Sequence, residues 1–221
     1  MLPVAKLNMQ GLLVMKRLRT IATLTCLAAL TACGTQGPTL STDVRALEER
    51  AEKLVAAGEF DQAAQAYTQL INTSSGSTQS RFLMEGARVL IELGNHSSAR
   101  QWLARAQNAA TPVQMQHAQV LLAEVDILDD RPEAALETLE LITRPASDEL
   151  IDAVASARGR ALFGLERIEE AISTLVEREL RLNESSQILE NHRLVWAGLI
   201  AQAPGTAVER TGDPVIDRWL D

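Results

Sequence analysis

Three columns of residues recur every 36 positions in this chain, and that period constrains the fold more than any other feature. Ala63 is followed by Ala99, Ala135 and Ala171, Ala51 by Ala87, Ala123 and Gly159, and Tyr67 by Leu103, Leu139 and Leu175. A small residue on each of two successive helices lets their backbones approach closely, and a large apolar residue late in the second fills the groove to the next pair. Between the two small columns lies a turn, marked by Gly58 and Gly94. Glycine there can end the first helix in a left-handed cap. A stack of helical hairpins is expected, each burying its apolar face only with its neighbours in place.

Composition points the same way. Aromatic residues make up 3% of the 221 residues and apolar residues 46%, with Ala and Leu dominant, which favours helix on helix over a sheet. Residues 56–67, AAGEFDQAAQAY, carry the pattern G-x-F-x-x-A-x-x-x-Y. With a period in the mid-thirties, this resembles the tetratricopeptide repeat over roughly residues 41–180. The resemblance implies an all-α, tetratricopeptide-like solenoid of about four and a half helical hairpins across residues 42–203.

In chain order, the capping residues Ser41, Thr42 and Asp43 precede a helix through Val44, Leu47, Ala51, Leu54 and Val55, with residues 60–70 as its partner. After a loop at 72–77, residues 82–93 and 97–106 form the second pair. Residues 113–128, after Pro112, and a helix opened by Arg131, Pro132 and Glu133 form the third, and residues 151–163 and 168–180 the fourth. A fifth first helix, 185–201, meets Ala203, Pro204 and Gly205 with no partner. The turn glycine is replaced by Asp130 and Glu166, so the later turns are expected to differ in detail, and Gln119 and Asp126 fall in otherwise apolar columns. The last segment, 204–221, has an apolar face that includes Trp219. A solenoid ends on a polar cap, so this extension reads as the start of a linker to a further domain, the alternative being a short helix folded back onto the array.

The amino terminus has a different character. From Met15, the expected true start, the chain runs M-K-R-L-R, then an apolar stretch from Ile21 to Leu30, then Thr31, Ala32 and Cys33. That is an export signal over residues 1–32, about half the ~20 apolar residues a spanning helix needs. Leu30, Thr31, Ala32 and Cys33 resemble the bacterial lipobox, which implies cleavage before Cys33 and a covalent lipid on its thiol and new amino group. No other cofactor is expected. Two or more acyl chains hold a protein stably at a membrane. Gly34, standing where an aspartate signals inner-membrane retention, implies an outer-membrane anchor facing the periplasm. Residues 33–41 are then the lipidated cysteine and a polar tether, whose extended reach beyond the cysteine is about 26 Å.

The folded part is acidic. Residues 34–221 carry 17 cations against 29 anions, or −12, and no basic stripe with interleaved aromatics, so nucleic acid is not an expected partner. Both cysteines precede residue 34, and the three histidines lack metal-ligand spacing, so neither disulfides nor a metal is expected to hold the fold. No nucleophile elbow, zincin motif, P-loop or dinucleotide fingerprint is present, and an enzyme is not expected. One pattern does suggest an interaction surface. In tetratricopeptide-like arrays the first helices line the concave face, where Glu52, Arg88, Glu124 and Arg160 would form a column of alternating charge. Arg45, Arg81 and His117, one column away, complete a candidate mixed-charge groove. Alternatively the column is a ladder of surface ion pairs, each giving ~0–1 kcal/mol and setting register.

Taken in order, L-T-A-C-G at 30–34, the 56–67 stretch, R-P at 131–132, L-V-W-A-G-L at 194–199 and I-D-R-W-L-D at 216–221 resemble the amino-terminal domain of the LpoA family. That resemblance implies an outer-membrane lipoprotein that activates a class A penicillin-binding protein, a bifunctional peptidoglycan synthase, and so regulates cell-wall synthesis. In that family the main contact with the synthase lies in a second domain, so the resemblance implies that residues 1–221 supply the anchor and helical spacer. The alternative is a tetratricopeptide adaptor lipoprotein for outer-membrane assembly or murein-hydrolase scaffolding.

Overall fold

A computed structural model describes residues 42–202 of the chain, with side-chain environments over 43–198. The export signal, Cys33, the tether and the 204–221 extension lie outside the described residues. Those residues form nine helices: α1 (Thr42–Ala56), α2 (Phe60–Thr73), α3 (Gly76–Glu92), α4 (His96–Gln107), α5 (Pro112–Leu128), α6 (Pro132–Glu140), α7 (Asp148–Gly164), α8 (Ile168–Glu179) and α9 (Ser185–Gln202). Among the described residues there is no strand. Each helix packs against the next, and α3, α5, α7 and α9 also touch in succession. The result is an all-α array of four hairpins and an additional first helix.

The four hairpin turns share one backbone form, contrary to the expectation that the later two would differ. Gly58, Gly94, Asp130 and Glu166 all have positive φ, at 75°, 69°, 57° and 58°. At each turn this residue's N–H donates to a carbonyl three back, and the next N–H to one five back: Asp130 to Ile127 at 3.1 Å and Arg131 to Asp126 at 2.8 Å, as Gly58 to Val55 and Glu59 to Leu54. These paired bonds satisfy the last carbonyls of the first helix, so the motif survives loss of its glycine. A side chain in this conformation costs ~1–2 kcal/mol, which the shared hydrogen-bond pattern and hairpin packing offset.

The second pair starts earlier than expected. The 72–77 stretch reads as a loop because it is all Asn, Thr, Ser and Gly, yet α2 continues to Thr73 and α3 begins at Gly76. Gly76 has φ +59°, which turns the chain sharply between the helices. The Gln79 side chain donates to the Ile71 carbonyl at 2.8 Å and to that of Ser74 at 3.0 Å, closing the end of α2. Similarly, α7 starts three residues before the expected 151, where the Ser147 hydroxyl accepts from the Leu150 N–H at 3.2 Å. The start of α5 is held by a reciprocal pair, the Thr111 hydroxyl on the Gln114 N–H and the Gln114 side chain on the Thr111 N–H.

The core follows the periodic columns. Ala51, Ala63, Ala87, Ala99, Ala123, Ala135 and Ala171 are wholly buried and Gly159 is buried, as are Leu103, Leu139 and Leu175. Gly159 stands in an alanine column because a Cβ there would lie 2.7 Å from Leu175. Three apolar clusters result: one across α1–α5, one across α5–α7, and one joining α7 and α8 to Val195 of α9. Leu136 of α6 borders the last two clusters.

Candidate functional site

The charged columns lie on the first helix of each hairpin, and the structure brings only some of their members together. Arg45, Glu52 and Arg88 are exposed, whereas Arg81, His117, Glu124 and Arg160 are half-buried. Arg81 reaches back from α3 to Glu48 of α1 at 2.6 Å and along its own helix to Glu85 at 2.9 Å. Its guanidinium carbon also lies 4.3 Å from the centre of the Phe82 ring. Burial pushes the Glu85 carboxyl up despite Arg81. The phenol of Tyr67, 4% exposed, is raised to about 12 by burial first and then by the fields of Glu85, Glu52 and Glu48. Farther along, Glu124 sits in the fields of Arg160 and Arg88, yet desolvation dominates and its carboxyl is held above the ordinary range.

The same columns continue into α9 with a change of chemistry. Trp196 stands 36 residues after Arg160 and Leu189 stands 72 after His117. Both are half-exposed, at 52% and 51%. A face that is charged along α1, α3, α5 and α7 therefore ends on an aromatic and an aliphatic side chain. This extension was readable from the period, by carrying the columns one repeat further.

Sequence reasoning missed a buried ionic clasp in the fourth repeat. Arg178 is 3% exposed. Its Nε and Nη2 donate to the two carboxylate oxygens of Asp152 at 2.6 and 3.0 Å, and its Nη1 to Asn191 Oδ1 at 2.9 Å. Asn191, wholly buried, donates in turn to the Leu175 carbonyl at 2.8 Å. One clasp thus joins α7, α8 and α9. The signal was an arginine in the column Leu70, Ala106, Ile142, Arg178. Two repeats earlier, the columns of Asp152 and Arg178 meet as the Ser80 hydroxyl donating to the Ala106 carbonyl at 2.8 Å. A neutral contact in the second repeat becomes a charged one in the fourth.

Asp126, noted for interrupting an apolar column, has a similar explanation. It is 5% exposed and accepts from Arg100 and Arg131, each at 2.7 Å. Asp129 accepts from Arg100 at 2.7 Å and pairs with His96 Nδ1 at 2.6 Å, so the cluster ties the α5–α6 turn to α4. It is a joint between hairpins, with its charges engaged among themselves. Among the described residues no group of three or more His, Cys, Asp or Glu side chains is arranged to hold a metal ion. No described helix is long and apolar enough to cross a membrane.

The tetratricopeptide repeat family model matches residues 54–118. A comparison of the sequence with curated proteins returns no match. Among solved structures, the LpoA N-terminal domain from Haemophilus influenzae is similar at 16% identity over 71% of this chain and 72% of that domain, with a TM-score of 0.55. Full-length LpoA from the same organism matches with the same identity and TM-score, this chain covering 30% of it. A MamA double mutant (RS-1 ArsTM) matches at 14% identity over 75% of this chain and 99% of that one, with a TM-score of 0.51. At these identities the likeness is one of fold: the chain forms a tetratricopeptide-type helical array with the fold of the LpoA N-terminal domain.

Proposed function

We propose that this chain is the anchored helical-repeat part of an LpoA-type regulator of peptidoglycan synthesis, lipidated on Cys33, held at the periplasmic face of the outer membrane and acting on a class A penicillin-binding protein. The observation that carries this reading is the fold likeness to the LpoA N-terminal domain over 72% of that domain. The Leu30-Thr31-Ala32-Cys33 motif ahead of the array supports the anchor. In this role the array is a non-catalytic spacer and docking body whose small and large columns set its repeat geometry. Affinity capture from bacterial envelope extract with the full chain is expected to recover a class A synthase, and labelled palmitate is expected to enter the chain but not its Cys33→Ala variant. Recovery without any such synthase, or palmitate retained in Cys33→Ala, removes the corresponding half of the reading.

A second reading, an adaptor lipoprotein for outer-membrane assembly or murein-hydrolase scaffolding, is favoured by Trp196 and Leu189. Exposed aromatic and aliphatic anchors at the end of a charged face are what a peptide-binding groove uses. In that case the same capture would recover assembly factors or hydrolases, and recovery would depend on Trp196.

A further inference from the structure

A cavity of about 570 Å³ opens between the first turns of α7, the connection from α8 to α9, and the start of α9. Its volume is within the range of sites that seat small ligands or a few side chains of a partner. Asp148, Glu149 and Asp152 of α7 supply carboxylates to one wall, and Ile151, Leu180 and Leu182 supply an apolar surface beside them. Leu180 keeps 84% of its surface in water, the most exposed of the large apolar side chains described. Asp152 is fixed from behind by Arg178, whose charge offsets it, while Asp148 and Glu149 face outward and are exposed. Arg181 is the cation in the lining itself, so with Arg178 included the site holds three carboxylates against two guanidinium groups. The Asn183 and Gln187 amides can pair with a backbone.

We propose that this cavity seats a peptide segment of a partner protein in which a lysine or arginine stands beside aliphatic residues. The basic head meets Asp148 and Glu149, and the aliphatic neighbours cover Ile151, Leu180 and Leu182. Three features together select this occupant. The local excess is negative, and it belongs to a chain whose residues 34–221 carry a net charge of −12, which draws basic segments from a distance. The apolar strip is contiguous with the carboxylates, so a bare cation would leave it uncovered. The Asp152–Arg178–Asn191 clasp holds α7, α8 and α9 in register, so the walls are set before binding. The site is built on the opening turns of α7 and the connection from α8 to α9, and it does not rest on the LpoA-type reading.

The test uses the full chain and two labelled probes, acetyl-Ser-Lys-Leu-Ala-Leu-Ser-amide and its counterpart with Glu for Lys, read by fluorescence anisotropy and by amide chemical shifts. The lysine probe is expected to bind, shifting amides over 148–152 and 180–187, and the glutamate probe to bind roughly tenfold more weakly or less. Asp148→Lys with Glu149→Lys should reverse that preference, and Leu180→Ser should weaken the lysine probe several-fold. All three side chains are exposed, so circular dichroism should show the fold retained. Equal binding of the two probes, no binding at millimolar concentration, shifts confined to other helices, or indifference to these substitutions overturns the proposal. If Arg218→Glu instead raises affinity for the lysine probe, the chain's own Arg218-Trp219-Leu220 is the occupant and the assignment to a partner fails.

Discussion

Glu124 is half-buried in the fields of Arg160 and Arg88, yet its carboxyl is harder to ionise than a free one, because lost hydration outweighs both cations. A carboxyl whose folded pKa lies above its unfolded value binds its proton more tightly in the native state. Its charge therefore costs stability at neutral pH, and the cost is relieved as pH falls through the folded pKa toward the ordinary carboxylate range. Glu124→Gln, neutral at every pH and nearly isosteric, is expected to raise the urea midpoint near about pH 7, with the advantage disappearing by about pH 4. A variant less stable than wild type at neutral pH would mean that the two cations outweigh desolvation. The alternating charge was legible in the sequence. The balance within it was not, since burial of Glu124 depends on how closely α3, α5 and α7 stack.

At the level of helices and turns, the hairpins were legible where one residue type does one job. The alanine columns announced close helix contact, and Gly58 and Gly94 announced left-handed turns. Asp130 and Glu166 hid the same turn because their conformation is set by the helices on either side. Residues 72–77 misled because Ser and Thr serve equally in loops and at helix ends, and only the Gln79 bonds across the junction decide between them. Arg178 stands out as a charge in an apolar column, but its pairing was hidden for a related reason: its burial needs Asp152 and Asn191, 26 and 13 residues away, to arrive together. That dependence makes the clasp brittle. Asp152→Ala leaves a buried guanidinium with Asn191 as its remaining partner among those described, and is expected to cost about 3–5 kcal/mol, read as a lower denaturation midpoint. Asp152→Asn, which keeps hydrogen-bonding capacity but loses the charge, should cost less. Equal losses in the two variants would place the clasp's value in packing instead of charge.

Across the whole array, stability is shared unevenly because each element leans mainly on its neighbours. The largest apolar cluster spans α1–α5, the next spans α5–α7, and the smallest carries α9 through Val195 with Asn191 and Gly198 beside it. Gly198 permits that approach, since a Cβ there would lie 2.4 Å from the Phe163 ring. A chain of nearest-neighbour contacts opens from its weaker end before it opens in the middle. Hydrogen exchange is therefore expected to show the amides of α9 opening first and those of α2 to α5 last. Asp152→Ala should deepen that gradient, lowering protection in α8 and α9 while leaving α2 to α4 nearly unchanged, because the clasp reaches only α7, α8 and α9. Loss of protection by the same amount in every helix would instead mean that the array unfolds as one cooperative unit, with α5 and α7 coupling the three clusters they share.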